Sequence, residues 1–408
     1  MYLQRYGCKT FRGKPNPHAT SGTKGHENYS VIPRLDRGIQ ARPSESGELY
    51  QGNRFPFSGE TLDSLVKPEN DIFGANNDKK WGDLINIIND MNALNKLRKA
   101  KEFLEKSGVE DAAKNAELII SHCLGIDRAS LYRDNPIITE DLISKIDEFL
   151  KRREKREPLQ YVIGYTKFYG LKIKVGPGVL IPRPETELLV EEAIKAVRRH
   201  ESTVSPPTHP SPSRGEGKGG GENSSKITGH RSLSILDLCT GSGCLALALA
   251  KEFPEAKVYG TDTSEVAISY AKENVELNNI NNVTFLKGNL FEPLKNLVFD
   301  LIVSNPPYIR KDDIKNLQLE IKNWEPVEAL DGGEDGLDYY RMIIPGARGY
   351  LKESGYLILE LGVGQSDAVR KMAEDKGFKN ISLVKDYAGI ERIFITKGES
   401  RRIPDKRE

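Results

Sequence analysis

Residues 234–250 read SILDLCTGSGCLALALA, and this stretch decides the fold. A short apolar run ends at a glycine-bearing turn, and CLALALA then continues as a helix. Gly241, Gly243 and Ala246 give the spacing G-x-G-x-x-A between a strand and a helix. The next strand, KVYGTD, ends at Asp262, roughly 20 residues on, where a ribose-binding acid is expected. The glycine pattern alone is a weak signal. With strand, helix and distal acid in place, it predicts a nucleotide-like ligand at a helix N-terminus.

Outward from this stretch, strands and helices alternate. The strands after the first are KVYGTD, VTFLKG, FDLIVSN, GYLILELG, ISLVKD and ERIFITK, with helical segments expected at 243–252, 264–278, 338–352 and 365–376. Such a series builds a mainly parallel sheet with helices on both faces. The last two strands are separated only by a YAG turn, too short for a parallel crossover, so the final strand is expected antiparallel to its neighbours. Upstream, residues 91–108, 110–125 and 139–157 carry apolar residues at helical spacing, with Gly108 and Gly125 as stops. A β-rich link (168–181) follows. PRPETELLVEEAIKAV (182–197) is then expected as a helix with Pro184 at its entry and Glu185 and Glu187 in its first turn. The fold class is α/β, preceded by a helical domain.

Two stretches lack any such period. Residues 1–88 and 200–232 are rich in Gly, Pro and Ser and are expected to be a disordered extension and a low-complexity insertion. Helical periodicity begins near Met91, which is therefore a candidate alternative start. Phe55, Phe57, Leu62, Leu65 and Val66 form the competing sign of a docked extension. The expected domains are 1–88, 89–158 (helical), 159–199 (β-rich link and the helix that follows it), 200–232, 233–398 (the alternating α/β series) and a tail at 399–408.

Composition excludes several classes. Lys+Arg number 60 against Asp+Glu 59 over 408 residues, which argues against a protein held on nucleic acid by a pervasive basic field. Four cysteines without a CxxC pair exclude a disulfide scaffold and a zinc ribbon, and fit a reducing, cytoplasmic compartment. Neither a signal peptide nor an apolar run of about 20 residues is present. No metal cluster or Ser/His/Asp triad can be assembled. KRREKRE (151–157) interleaves acids with its bases and reads as a solvated helix end, and His122 as a packed or solvated histidine.

The ligand follows from charge. Asp237 lies four residues before Gly241, and a carboxylate there suits a dinucleotide pyrophosphate poorly: like charges near 4 Å cost roughly 4 kcal/mol at an effective dielectric of 20. S-adenosylmethionine (SAM) carries no phosphate and offers an ammonium group that an acid attracts. Asp262 would then accept from the ribose hydroxyls. Cys239 stands where many such loops have glycine.

The chemistry follows from Asn305-Pro306-Pro307-Tyr308, which ends the strand FDLIVS. The two prolines remove backbone donors and stiffen the turn. The Asn305 side-chain oxygen and the Pro306 carbonyl are left as paired acceptors. An amide or aromatic NH2 is a poor nucleophile, because its lone pair is delocalised. Two acceptors holding its N–H bonds turn that lone pair toward a methyl donor and stabilise the charge that develops. Tyr308 supplies a flat platform.

DLCTGSG, Asp262 and SNPPYI together resemble the class I SAM-dependent amino-methyltransferases. FYGLKIKVGPGVLIPRPETELLVE (168–191), EPVEALDGGEDGLDYYR (325–341) and LELGVGQ (359–365) narrow the resemblance to the release factor glutamine methyltransferase (HemK/PrmC) family. It runs from about residue 90 to 397, with 200–232 excluded. The resemblance implies a seven-stranded, mainly parallel Rossmann-like methyltransferase sheet preceded by a small all-α domain that helps dock the release factor. It also implies N5-methylation of the glutamine in a Gly-Gly-Gln loop. Carried over, Asp237, Leu238, Cys239, Thr240, Gly241, Asp262 and Leu290 would contact SAM, as would Asn305. Asn305, Pro306, Pro307 and Tyr308 would hold the substrate glutamine, with Asn305, Pro306 and Tyr308 in the catalytic role. Three rivals remain: the same chemistry on a ribosomal-protein glutamine or a nucleic-acid base amine, an NAD-dependent oxidoreductase, and a non-enzymatic binding module. The second leaves Asp237 and NPPY unexplained.

Overall fold

The computed structural model describes residues 91–204 and 233–398. The expected N-terminal extension with its apolar cluster, the Pro/Gly/Ser-rich stretch after Val204 and the tail after Gly398 lie outside the described residues.

The chain begins with α1 (Ala93–Lys106), α2 (Ala112–Leu124), α3 (Arg128–Asp134) and α4 (Glu140–Glu154). Asn92 caps α1 by accepting from the Asn95 N–H at 2.8 Å, and Gly125 ends α2 in a left-handed conformation with φ 67°. On α1 the buried residues Ala93, Leu97, Ala100 and Leu104 recur every three or four positions. They pack against Ile119 and Ile120 of α2 and Ile146 and Leu150 of α4 in one core. Truncating fully buried Leu104 to Ala would cost about 2–5 kcal/mol. Helix α3, capped by Asp127, is too short to show a period and has no counterpart among the expected helices.

After the one-turn helix α5 (Leu159–Ile163), β1 (Tyr165–Phe168) and β2 (Leu171–Lys174) form an antiparallel hairpin. Helix α6 (Thr186–Val204) starts two residues after Pro184, so Glu185 precedes the helix and Thr186 opens it. The remaining elements are β3 (Ser234–Leu238), α7 (Cys244–Glu252), β4 (Lys257–Asp262), α8 (Glu265–Asn278), β5 (Val283–Lys287), β6 (Phe299–Ser304), α9 (Lys311–Ile314), α10 (Leu319–Trp324), α11 (Asp338–Tyr350), β7 (Leu351–Glu360), α12 (Ser366–Asp375), β8 (Lys379–Lys385) and β9 (Glu391–Lys397).

Seven strands form one sheet in the order β5-β4-β3-β6-β7-β9-β8. Strands β5, β4, β3, β6 and β7 run parallel, and β9 is antiparallel to both β7 and β8, as the short YAG turn requires. Alternation along the strands feeds two cores. Ile235, Leu301, Val303 and Ile358 face the layer with α7 and α8. Leu236, Leu238, Ile302, Leu357 and Leu359 face the layer with α11 and α12. The chain winds one way from β3 through β5 and returns on the other side of β3 with β6. The carboxyl ends of β3 and β6 are thus neighbours, with Leu238 opposite Ser304. This is the position where open parallel sheets bind ligands.

The helical N-terminal part joins this body through charge. Arg153 in the last turn of α4 and Arg156 just beyond it both pair with Glu320 of α10 at 2.9 Å, and Arg153 is only 5% exposed. The KRREKRE run is therefore a solvated helix end only in part. Its partner lies over 160 residues away, outside the range a local charge pattern can reveal.

Candidate active site

The turn after β3 contains three left-handed residues, Cys239 (φ 56°), Gly241 (φ 53°) and Gly243 (φ 79°). Cys239 adopts the conformation that glycine would supply more cheaply. Gly243 has no alternative, because a Cβ there would lie 2.7 Å from the Phe285 ring. Helix α7 opens at Gly243 without a side-chain cap. Asp237 fills that role from the preceding strand: its Oδ2 accepts from the Thr240 hydroxyl at 2.6 Å and from the Ala246 N–H at 3.2 Å. The carboxylate is 0% exposed, and its Oδ1 has no hydrogen-bond partner. Burial pushes this carboxyl up to about 7, against the opposing pull of the bonds from Thr240 and Ala246.

At the end of β4, Asp262 folds back onto the same turn. Its Oδ2 accepts from the Gly241 N–H and its Oδ1 from the Ser264 N–H, each at 2.9 Å. Burial raises its pKa, and these backbone bonds oppose the rise.

A cleft of about 340 Å³ opens along these turns at the carboxyl edge of the sheet. Of the residues expected to bind a ligand, Cys239, Thr240, Gly241, Asp262, Leu290, Asn305 and Pro307 line it. Asp237, Leu238, Pro306 and Tyr308 adjoin these lining residues in sequence and do not themselves line the cleft. Asp237 and Leu238 face opposite layers of the fold and are wholly buried. Leu290, buried and left-handed at φ 48°, presents an apolar surface to the cleft. Among the described residues lining it, none is Lys, Arg or His, whereas Asp262 and Glu328 are acids.

On the far side, the turn after β6 is held by partners that no local pattern announces. The Asn305 amide nitrogen donates to the Thr186 hydroxyl at 3.0 Å, and Thr186 is 2% exposed at the start of α6. The Tyr308 hydroxyl donates to Glu360 Oε1 at 3.1 Å, at the end of β7. Burial pushes the Tyr308 phenol well above its usual range, and the Glu360 charge adds to this. Glu360 is itself raised by burial, with hydrogen bonds from Thr186 and Tyr308 opposing the shift. Gln365 closes the turn: its amide nitrogen donates to the carbonyls of Tyr308 (2.9 Å) and Gly336 (3.0 Å), and its oxygen accepts from the Gly362 N–H (2.9 Å). Asp331-Gly332-Gly333 packs so closely that a Cβ on Gly332 would sit 2.8 Å from the Tyr308 Cα. The PRPETE segment is held across the cleft from the same direction, as buried Glu325 pairs with Arg183 at 2.7 Å and accepts from the Ile181 N–H. Outside the cleft, His122 stacks on Phe149 with ring centroids 5.9 Å apart.

Comparison with known proteins agrees along nearly the whole described chain. Residues 95–164 match the PrmC N-terminal domain and residues 225–321 the methyltransferase small domain. The chain is 47% identical over 305 residues to the release factor glutamine methyltransferase of Thermodesulfovibrio yellowstonii, covering 75% of this chain and 98% of that one. The chain belongs to the release factor glutamine methyltransferase family. The protein of that name from Geobacter sulfurreducens is 41% identical, over 71% of this chain and 91% of its own. That from Fusobacterium nucleatum is 40% identical, over 74% and 78%. In this member of the family the three stretches 168–191, 325–341 and 359–365 meet around Asn305–Tyr308, through Thr186, Gly332 and Gln365 respectively. Among the described residues no cluster of His, Cys, Asp and Glu could hold a metal ion, and no helix is long and apolar enough to cross a membrane.

Proposed function

We propose that this chain transfers the methyl group of SAM to the side-chain nitrogen of the glutamine in the Gly-Gly-Gln loop of peptide chain release factors. The observation that carries the reading is the character of the cleft. Its walls carry acids and no basic side chain, and the Gly241 N–H that a phosphate would need is already donated to Asp262. Such a cleft disfavours a dinucleotide and suits a ligand with an ammonium and a sulfonium. The relatives' names supply the substrate class.

In this reading the Asp262 carboxylate accepts from the ribose hydroxyls with lone pairs left over from Gly241 and Ser264. Leu290 covers one face of the adenine. Asp237 acts from behind the turn, holding Thr240 and the first turn of α7, while the backbone from Leu238 to Gly241 forms the floor. When bound, SAM supplies an electrophilic methyl group that needs no strong protein base. Asn305 Oδ1 and the Pro306 carbonyl accept the two N–H bonds of the substrate amide. That orients its nitrogen and stabilises the positive charge it develops. Pro307 stiffens the turn, and Tyr308, anchored through Glu360, backs the planar amide. The helical part at 89–158 serves as the docking module for the release factor, with 159–199 and 233–398 as the catalytic body, and the enzyme works in the cytoplasm.

Titration calorimetry with SAM and with NAD tests the cofactor. Saturable SAM binding without NAD binding is expected, and the reverse would restore the oxidoreductase reading. Labelled SAM added to a lysate lacking the endogenous enzyme should then mark release factors. Label appearing instead in ribosomal proteins or nucleic acid would move the substrate to one of those rivals.

A further inference from the structure

We propose that Gln365 is a positioning residue for methyl transfer: its amide pins the Tyr308 end of the Asn305–Tyr308 turn to two neighbouring glycine turns. This rests on the reading above, in which that turn holds the substrate amide.

The turn is poor in donors of its own, because Pro306 and Pro307 carry no N–H, so other parts of the fold must supply them. Gln365 Nε2 donates both of its hydrogens, to the Tyr308 carbonyl at 2.9 Å and to the Gly336 carbonyl at 3.0 Å. Its Oε1 accepts from the Gly362 N–H at 2.9 Å and from the Tyr340 hydroxyl at 3.3 Å. Three of these four partners are backbone groups, whose polarity cannot change. Turning the amide over would set its oxygen against two carbonyls and its nitrogen against an N–H, so its orientation is fixed.

Glycines let the three turns close on this amide. A Cβ on Gly336 would lie 2.5 Å from the Tyr308 carbonyl oxygen and 2.6 Å from Gln365 Nε2. One on Gly362 would lie 2.6 Å from Gln365 Oε1. Gln365 stands directly before α12, where its carbonyl accepts from the Val369 N–H at 3.0 Å, so a helix end carries the amide. Just past the turn, Ile309 donates to the Leu330 carbonyl at 2.9 Å and accepts from the Gly332 N–H at 2.8 Å. These backbone ties remain when the Gln365 side chain is changed, so its loss should shift the turn rather than unfold it. Gln365 itself does not line the cleft, and it acts on the reaction through the turn.

The test compares Gln365→Met and Gln365→Glu with the unaltered full chain, using a release factor as substrate. Met keeps the length and removes all four bonds. Glu keeps the bond from Gly362 and sets a second acceptor against the two carbonyls. Both are expected to lower kcat about 10- to 100-fold, with unchanged KM for the release factor and unchanged SAM affinity. Asn305→Ala, run in parallel, separates the two levels. If it abolishes turnover while both Gln365 variants keep near-normal kcat, the positioning role is wrong and the Asn305 mechanism stands. If Asn305→Ala is itself near-normal, the mechanism fails and the positioning role with it. A loss that appears as weaker SAM binding, as a raised KM or as unfolding of both variants also overturns the proposal.

Discussion

The Asp262 carboxylate and the Gly241 backbone N–H meet at 2.9 Å, across 21 residues of sequence. This bond links the ends of β3 and β4 at the edge of the cleft. The acid holds the turn, and under the proposed function it also accepts from the ribose.

Replacing Asp262 with Ala should therefore weaken SAM binding about 10- to 100-fold, since charge-assisted hydrogen bonds are worth about 1.5–3 kcal/mol. Asp262→Asn, which keeps one acceptor oxygen, should lose less. Calorimetric titration of the three proteins checks this, and equal affinities would remove Asp262 from the ribose site.

Asn305→Ala should leave SAM affinity and folding nearly intact and cut kcat on the order of 10²–10³-fold, the usual consequence of deleting one preorganised hydrogen-bonding group. Steady-state kinetics with a release factor provide the measurement. Near-normal turnover would falsify the role given to the turn after β6.

Asp237 predicts a pH dependence of stability. Its carboxyl titrates at about 7 in the folded chain against an ordinary value of 3.8. Between those values the folded state keeps a proton that the unfolded state has released. Asp237 therefore makes stability fall as pH rises across that window, by at most about 1.4 kcal/mol per pH unit. Asp237→Asn, neutral throughout, removes this slope and should gain on the natural protein from pH 5 to 8 in denaturant unfolding. Parallel stability curves for the two proteins would contradict the assignment.

Glu320 predicts how the helical part is held. Burial tends to raise its carboxyl, but hydrogen bonds from Arg153 and Arg156 outweigh this and leave it below the usual range. Glu320→Ala would strand the nearly buried Arg153 guanidinium without its ionic partner, at a cost of about 3–5 kcal/mol. Thermal and denaturant unfolding measure the loss, and a change under 1 kcal/mol would show that the clamp is energetically idle.

The architecture was legible because its signals are local. Short, nearly continuous buried runs in ILDL and FDLIVS, a glycine turn before α7 and a three-residue YAG turn each act within a few residues. Of the site residues read from chemistry and spacing, Asp262, Asn305 and Pro307 come together on one cleft. Asp237 shows the limit. Its residue type alone points to a ligand, and strand alternation also sets it beneath α7, where it accepts from a backbone N–H nine residues on. Thr186, Glu360 and Gln365 carried no individual signal. Sheet topology alone brings them to the turn after β6, from 119, 52 and 57 residues away from their respective partners.

Glutamine methylation is read by mass mapping of the release factor loop. A purified release factor from cells lacking the methyltransferase is incubated with this chain and isotope-labelled SAM, digested, and read by fragment-ion mass spectrometry. One added methyl, carrying the label, is expected on the side-chain nitrogen of the Gly-Gly-Gln glutamine, absent when Asn305→Ala replaces the natural chain. An unmodified loop under conditions where SAM is bound, or label on any other residue, would contradict it.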